Sequence, residues 1–404
     1  PMKVALFSKE YPPNVYGGAG VHVEYLSRAL AKRMDVEVRA FGDDAAIPGN
    51  PSVRFYPEWP EAKCGTDPRF AGAVDAFERS LRMAKDRTDA DLVHCHTWYT
   101  DMAGIIAAQL WDIPSVLTIH SLEPLRPWKV EQLGQAYHLS AWMERTAIEQ
   151  ASAIIAVSNE TRDDVLRLFD VAPDRVHVIH NGIDLDEYRP SMHADVLDRH
   201  GIDRTRPYVL FVGRITRQKG ILHLLAAIPH LDPALQVVLC AGAPDTPEIG
   251  REMAEGVQRL QQTRPGIIWI PDMLPRPDVI QLYTHAALFC CPSVYEPFGI
   301  INLEAMACRT PVVASAVGGI KEVVVPEETG ILVDPGLKPG SFEPADPAAF
   351  ALGLAEAINR LAEDAGLQAR MADAGLARVR NMFTWDAIAS KTEALYRAIV
   401  TKAR

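Results

Sequence analysis

The chain has 404 residues, of which 48% are hydrophobic and 23% charged, and a formal net charge of -11. That length accommodates two domains with substantial cores, and these proportions exclude a disordered or fibrous chain. The acidic balance argues against broad binding to nucleic acid or anionic membrane, which requires an excess of Lys and Arg, so an anionic ligand would need a local basic site.

Short apolar runs alternate with longer helical patterns along the whole chain, the mark of parallel strands joined by helical crossovers. In the first half the runs fall at residues 3–8, 36–41, 53–56, 92–95, 115–119, 153–157 and 176–179. In the second they fall at 208–212, 236–240, 267–270, 288–291, 311–314 and 330–333. The predicted fold class is α/β with two open parallel sheets. The predicted domains are residues 1–185 and 207–382, with a polar linker at 186–206 and a C-terminal helix at 383–404 that ends the second domain or crosses back to the first. In open parallel sheets ligands sit beyond the carboxyl ends of the strands, so the expected site is a cleft between the domains and the strand exits are the places to look.

The first strand, residues 3–8, shows no leader pattern, and no run approaches the roughly 18 apolar residues of a membrane span. Six cysteines (Cys64, Cys95, Cys240, Cys290, Cys291 and Cys308) show no CxxC pair. These features predict a cytoplasmic protein in a reducing compartment. Cys290 and Cys291 read as small buried hydrophobes.

The first strand leads into Tyr16-Gly17-Gly18-Ala19-Gly20 and then a helical segment. A glycine turn at a helix N-terminus can hold a phosphate on its free amides, or simply turn the chain. The runs at 92–95 and 115–119 exit into His96 and His120, with Asp101, Glu123 and Arg126 close behind. Histidine and carboxylate at neighbouring strand exits can bond sugar hydroxyls. His22 and His94 read as structural, and the separation of His96 from His120 does not match zinc-ligand spacing, so no metal is expected.

In the second half, residues 208–212 run into Gly213-Arg214-Ile215-Thr216-Arg217-Gln218-Lys219-Gly220. Arg214 and Lys219 place positive charge where a departing diphosphate gains negative charge. The most informative stretch is Glu296-Pro297-Phe298-Gly299-Ile300-Ile301-Asn302-Leu303-Glu304. Its carboxylates bracket a turn and a helix start, so they can meet different parts of one ligand, and amides at the helix N-terminus favour phosphate oxygens. A further glycine turn, Val317-Gly318-Gly319, follows the next strand.

With these marks, and with Asn181-Gly182-Ile183-Asp184 before the linker, the chain resembles retaining glycosyltransferases of the glycogen-synthase-like family 4, which have the GT-B fold of two Rossmann-like domains. Within that family, the segment His120-Ser121-Leu122-Glu123-Pro124-Leu125-Arg126-Pro127-Trp128-Lys129, followed by Glu131-Gln132-Leu133-Gly134, is similar to bacterial glycogen synthases and maltose-1-phosphate synthases. The resemblance implies transfer of glucose from ADP-glucose, or from UDP-glucose, to an α-glucan end or to glucose 1-phosphate, forming an α-1,4 link without a metal or other cofactor; the alternative within the same fold is a UDP-sugar donor with another acceptor.

It further implies that Gly17 and Gly18 approach the donor diphosphate and that Arg214 and Lys219 neutralise it. Glu296, Phe298, Gly299, Ile300 and Ile301 would bind the sugar and phosphate, Glu304 the ribose, and Asp272 and Met273 would lie beside the base. His120 would hold the transferred sugar. Together His120, Arg214, Lys219 and Glu296 are the catalytic candidates, and Tyr16, Asp101, Glu123 and Arg126 face the acceptor. Members of the family are often homodimers. Two other classes share features of this pattern: a UDP-sugar 2-epimerase, which has the same architecture, and a non-enzymatic sugar-binding protein, which gives no reason for basic and acidic residues to gather at strand exits.

Overall fold

The computed structural model describes the backbone of residues 1–404 except 64, 66 and 135, and the side chains of all but these and residues 62, 63, 132 and 133. Cys64 therefore lies outside the described residues, as do the side chains of Gln132 and Leu133 in the acceptor-side motif. The chain divides into two compact units, residues 1–182 with 383–404, and residues 183–382.

In the first unit, β1 (Lys3–Ser8), β2 (Asp35–Phe41), β3 (Ser52–Tyr56), β4 (Leu92–His96), β5 (Ser115–Ile119), β6 (Ala153–Ala156) and β7 (Val176–Val178) form one parallel sheet. Their order is β3-β2-β1-β4-β5-β6-β7. The crossovers contain α1 (Gly18–Ala31), α2 (Ala71–Lys85), α3 (Trp98–Trp111), α4 (Trp128–Leu133), α5 (Ala136–Gln150) and α6 (Asn159–Leu168). Every residue of β4, β5 and β6 is buried, which explains why these strands read as continuous apolar runs instead of an alternation. β1 divides its side chains by the period of two: Ala5 and Phe7 enter one core with residues of α2, α3 and α5, while Val4 and Leu6 enter another with α1. That second core is completed by the C-terminal helix, Trp385–Ala403, through Trp385, Ile388, Ala389, Tyr396 and Val400. The helix therefore belongs to the first unit, although the chain up to Met382 belongs to the second.

In the second unit, β8 (Tyr208–Arg214), β9 (Gln236–Gly242), β10 (Ile267–Ile270), β11 (Leu288–Cys291), β12 (Val312–Ser315) and β13 (Gly330–Val333) form a parallel sheet in the order β10-β9-β8-β11-β12-β13. Its helices are α7 (Asp195–Arg199), α8 (Ile221–Ala227), α9 (Pro247–Thr263), α10 (Arg276–His285), α11 (Ile300–Ala307), α12 (Ile320–Val323), α13 (Pro347–Glu363) and α14 (Ala365–Met382). Side chains cap several of them: Thr246 accepts from the amide of Ile249 at α9, and Asp346 from that of Ala349 at α13, each followed by proline in the first turn. Residues 186–206, expected as a linker, are not a bare tether. They carry α7, bury Tyr188, Val196, Leu197 and Ile202, and belong to the second unit. Polar residues on the outer side of this segment hid its apolar anchors.

Both sheets are doubly wound, so strand order reverses direction between β1 and β4 in the first unit and between β8 and β11 in the second. At such a switch point the connections leave on opposite faces and open a crevice beyond the strand ends.

Candidate functional site

The candidate residues fall into two sets, one in each unit. In the second unit, β8 ends at Arg214 and leads to Lys219, while β11 ends at Cys291 and leads through residues 292–298 to Gly299, the N-cap of α11. The turns are tied together by backbone: the Val294 N–H donates to Gln218 O at 3.0 Å, and the Gly319 N–H donates to Glu296 O at 3.0 Å. Two glycines are required for this approach. Gly220 has φ +67°, and a Cβ there would sit 2.0 Å from Pro292 O. Gly318 has φ +50°, and a Cβ there would sit 1.9 Å from Glu296 O. No side chain fits either gap.

The result is a buried ion pair, with Lys219 Nζ 2.8 Å from Glu296 Oε2. Ser293 Oγ donates to the same carboxylate oxygen at 3.4 Å. Burial pulls the Lys219 ammonium down, but the charge of Glu296, with a contribution from Cys291, outweighs it and the net shift is upward. Lys219 is therefore a fixed cation at neutral pH. Arg214 is also held, by Asp245, so each of the two basic residues is paired with a carboxylate, which the sequence did not show. A phosphate arriving here would be met by two cations already oriented by carboxylates.

Glu304 lies on α11 and receives two hydroxyls: Tyr188 donates to Oε1 at 3.2 Å and Tyr283 to Oε2 at 2.8 Å. Burial raises its pKa, and the two tyrosine bonds pull the other way. Each oxygen keeps acceptor capacity for a ligand hydroxyl. The Phe298 side chain is 2% exposed and belongs to the core, so that residue can offer a ligand only its backbone. Ile300 and Ile301 are half-buried in the first turn of α11, which has no side-chain cap. Asp272 and Met273 are exposed on the loop after β10, and that loop rests on Gly242, where a Cβ would meet Pro271 O at 2.4 Å.

In the first unit, four histidines gather around the β4 and β5 exits. His96 Nδ1 lies 2.9 Å from His120 Nε2. The ring of His22, from α1, is 5.4 Å from that of His96 and 4.8 Å from that of His120. The His94 ring lies tilted with its centroid 4.3 Å from that of His96, contacts Thr118 Oγ1 at 2.6 Å and is hydrogen-bonded to the Tyr396 hydroxyl of the C-terminal helix. Burial pulls His22 down to about 4, with the nearby Asn181 opposing, and holds His94, His96 and His120 far below the ordinary imidazole range. All four are neutral at physiological pH. Thr97, directly after His96, has φ +68°, a strained conformation for a β-branched residue and one often concentrated at functional sites.

The sequence assigned His22 and His94 to the structure alone and dismissed a metal-binding arrangement from the spacing of His96 and His120. The fold nevertheless brings the rings of His22, His96 and His120 together, which that spacing did not anticipate. Spacing rules describe ligands on one helix or loop, whereas these rings are delivered by a helix and two strand exits.

The remaining first-unit candidates are mixed in exposure. Tyr16 is exposed and its N–H donates to Glu10 Oε1 at 2.7 Å, while Gly17 is the N-cap of α1 and Gly18 its first residue. Asp101 and Glu123 are buried, and burial raises the Asp101 carboxyl well above the usual carboxylate range. Asp101 Oδ1 and both Glu123 carboxylate oxygens make no hydrogen bond, and Arg126 Nη1 stands 3.8 Å from Glu123 Oε1. The Glu123 amide instead donates to Glu144 Oε1 at 3.1 Å, and burial with the Glu123 charge raises Glu144 strongly. Sequence reasoning missed Glu144, Asp245, Ser293, Tyr188, Tyr283 and Tyr396, none of which sits in a glycine turn. For Tyr396 there was one usable signal, its place on the apolar stripe of an amphipathic terminal helix.

Two doubly wound Rossmann-like units, each carrying polar and charged residues at its switch point, are the architecture of the GT-B fold. The Glycosyltransferase Family 4 model matches residues 16–187, and the Glycosyl transferases group 1 model matches residues 195–378. The chain is 47% identical to α-maltose-1-phosphate synthase of Mycolicibacterium smegmatis over 98% of its own length and 100% of that protein. It is 33% identical to D-inositol 3-phosphate glycosyltransferase of Xylanimonas cellulosilytica, covering 96% of this chain and 93% of the relative. Among solved structures, sucrose-phosphate synthase from Thermosynechococcus elongatus superposes with a TM-score of 0.80 at 26% identity, covering 100% of both chains. The chain belongs to glycosyltransferase family 4. It is an enzyme of glycosyl transfer, and the epimerase and binding-protein alternatives fall with that assignment. Among the described residues no helix is long and apolar enough to cross a membrane.

Proposed function

We propose that the protein transfers glucose with retention from ADP-glucose to glucose 1-phosphate, or to the end of an α-glucan, forming an α-1,4 link. The observation that carries this reading is the full-length similarity at 47% identity to an α-maltose-1-phosphate synthase. The names of the other two relatives also carry a phosphorylated sugar or polyol, which favours the small phosphorylated acceptor over the polymer.

In this mechanism Arg214 and Lys219 take the donor diphosphate, and Glu304 with its two tyrosines takes the ribose. Glu296 holds Lys219 in place and accepts from a sugar hydroxyl. The bond between the sugar C1 and the phosphate oxygen breaks with its electron pair going to the leaving diphosphate, where the two cations stabilise the growing charge. The acceptor hydroxyl attacks C1 on the same face, and its proton passes to the departing phosphate oxygen. His120, neutral, bonds a hydroxyl of the transferred sugar. The reading needs no metal, because the arginine and lysine supply the charge neutralisation that a divalent ion supplies elsewhere.

The test is nucleotide release and product mass with ADP-glucose or UDP-glucose as donor and glucose 1-phosphate or glycogen as acceptor. Turnover of ADP-glucose with glucose 1-phosphate, giving a disaccharide phosphate, is expected. Turnover confined to UDP-glucose, or to glycogen, would replace the donor or acceptor assignment.

A further inference from the structure

The imidazoles of His22, His96 and His120 are more than neighbours. Each offers a ring nitrogen, and the three nitrogens lie within 4.8 Å of one another. A tetrahedral zinc ion with Zn–N bonds of about 2.0–2.1 Å needs its nitrogens about 3.4 Å apart. The limits of this cluster, 2.9 Å for His96 Nδ1 to His120 Nε2 and at most 4.8 Å for the rest, lie on either side of that value.

Three further observations favour an ion over a purely structural packing of rings. His22 Nδ1 is buried and makes no hydrogen bond, so the cluster leaves an imidazole nitrogen unsatisfied. His22 and His96 are buried while His120 is half-buried, which leaves approach from the His120 side. The rings are also braced from behind: Trp385 packs edge-on against His22 at 5.2 Å, and His94, fixed by Thr118 and Tyr396, packs tilted against His96. Braced ligands lose less freedom on binding.

We propose that His22, His96 and His120 form a three-imidazole site for a borderline divalent transition metal such as Zn2+, and that its occupation inhibits transfer by taking His120 away from the sugar. Neutral imidazole suits Zn2+, Cu2+ and Ni2+ and has little affinity for Mg2+ or Ca2+, so the site discriminates by ligand type. Three protein nitrogens leave a fourth position for water. The proton shared between His96 and His120 moves to the non-ligating nitrogen of its ring, and no proton need leave the cluster. The inhibitory half of the proposal rests on the reading of His120 given above, whereas the binding half does not.

The test uses tag-free, chelator-treated full-length protein titrated with Co2+ and followed by visible absorption, then competed with Zn2+. The expected result is one Co2+ per chain with the intense bands of tetrahedral coordination, no thiolate charge-transfer band, and displacement by Zn2+. His22→Gln and His96→Gln, each checked for folding by circular dichroism, should lose the bands. Zn2+ should abolish nucleotide release by the wild type, and chelator should restore it. Absence of tetrahedral bands in the folded wild type overturns the site, as does a thiolate band or bands that survive in both folded variants. Bands with undiminished turnover overturn the inhibitory role. Metal-free enzyme that turns over no donor counts against the proposed function and leaves the spectroscopic result to decide the site.

Discussion

Lys219→Ala removes the cation from a pair whose side chains are 19% and 8% exposed, and leaves Glu296 buried with only the long contact from Ser293. Stranding one partner of a buried pair costs roughly 3–5 kcal/mol, and the partial exposure of Lys219 places this case near about 3 kcal/mol. For a unit of about 200 residues that corresponds to a fall in its melting temperature of roughly 6–12 °C. The catalytic effect is separable. If Lys219 meets charge that develops as the diphosphate departs, its loss should lower kcat by about 10²–10³, the magnitude found for removal of one donor from a preorganised anion site. The donor KM should change much less, because the interaction strengthens in the transition state.

The assay is nucleotide release at saturating donor, alongside thermal unfolding of Lys219→Ala, Glu296→Ala and the double variant. The double variant should recover part of the stability lost in Lys219→Ala, since no charge is then stranded. Because the folded-state pKa of Lys219 is raised, the pair's contribution is complete below the ordinary value of 10.5 and is lost as pH rises beyond it. A Lys219→Ala protein with wild-type kcat, or strictly additive stability losses in the cycle, would refute this reasoning.

Three further outcomes are expected. His22 is held at about 4 in the folded chain against 6.5 unfolded, so its contribution is complete above 6.5 and falls as pH drops towards 4, because the unfolded chain takes the proton first. For His22 alone the loss is about 3 kcal/mol, with His94 acting in the same direction, and a urea midpoint that stays flat across that interval would contradict it. Gly318→Ala should destabilise the second unit by about 3 kcal/mol or more through its positive φ and the clash with Glu296 O, read as a lowered melting temperature together with reduced kcat. Tyr396→Phe leaves a His94 nitrogen unpaired and should cost about 1–3 kcal/mol of stability in the first unit, with wild-type melting behaviour counting against the hydrogen bond.

Much of the architecture was legible in the order of residues. Each run read as a strand is a strand, because strands buried on both faces must be apolar throughout and the intervening segments must repeat with helical period. The glycine turns were legible for a similar reason: Gly220 and Gly318 adopt positive φ against a neighbouring backbone, and few other residues can. Glu296, Glu304, Arg214 and Lys219 stood out because polar residues at the exits of apolar strands have no packing role to explain them.

What the linear pattern lacked was partnership. Nothing in the sequence pairs Lys219 with Glu296, Arg214 with Asp245, or Tyr188 and Tyr283 with Glu304, since each bond joins elements whose proximity depends on strand order. The buried state of Asp101 and Glu123 was hidden for the same reason, because charge in a sequence reads as exposure. The histidines show the division most sharply. Their identities are fixed by position, but one comes from α1, two from the exits of β4 and β5, and the ring that braces them through Tyr396 comes from the far end of the chain. Only the crossover topology of the sheet, with the terminal helix packed against α1, makes them one cluster.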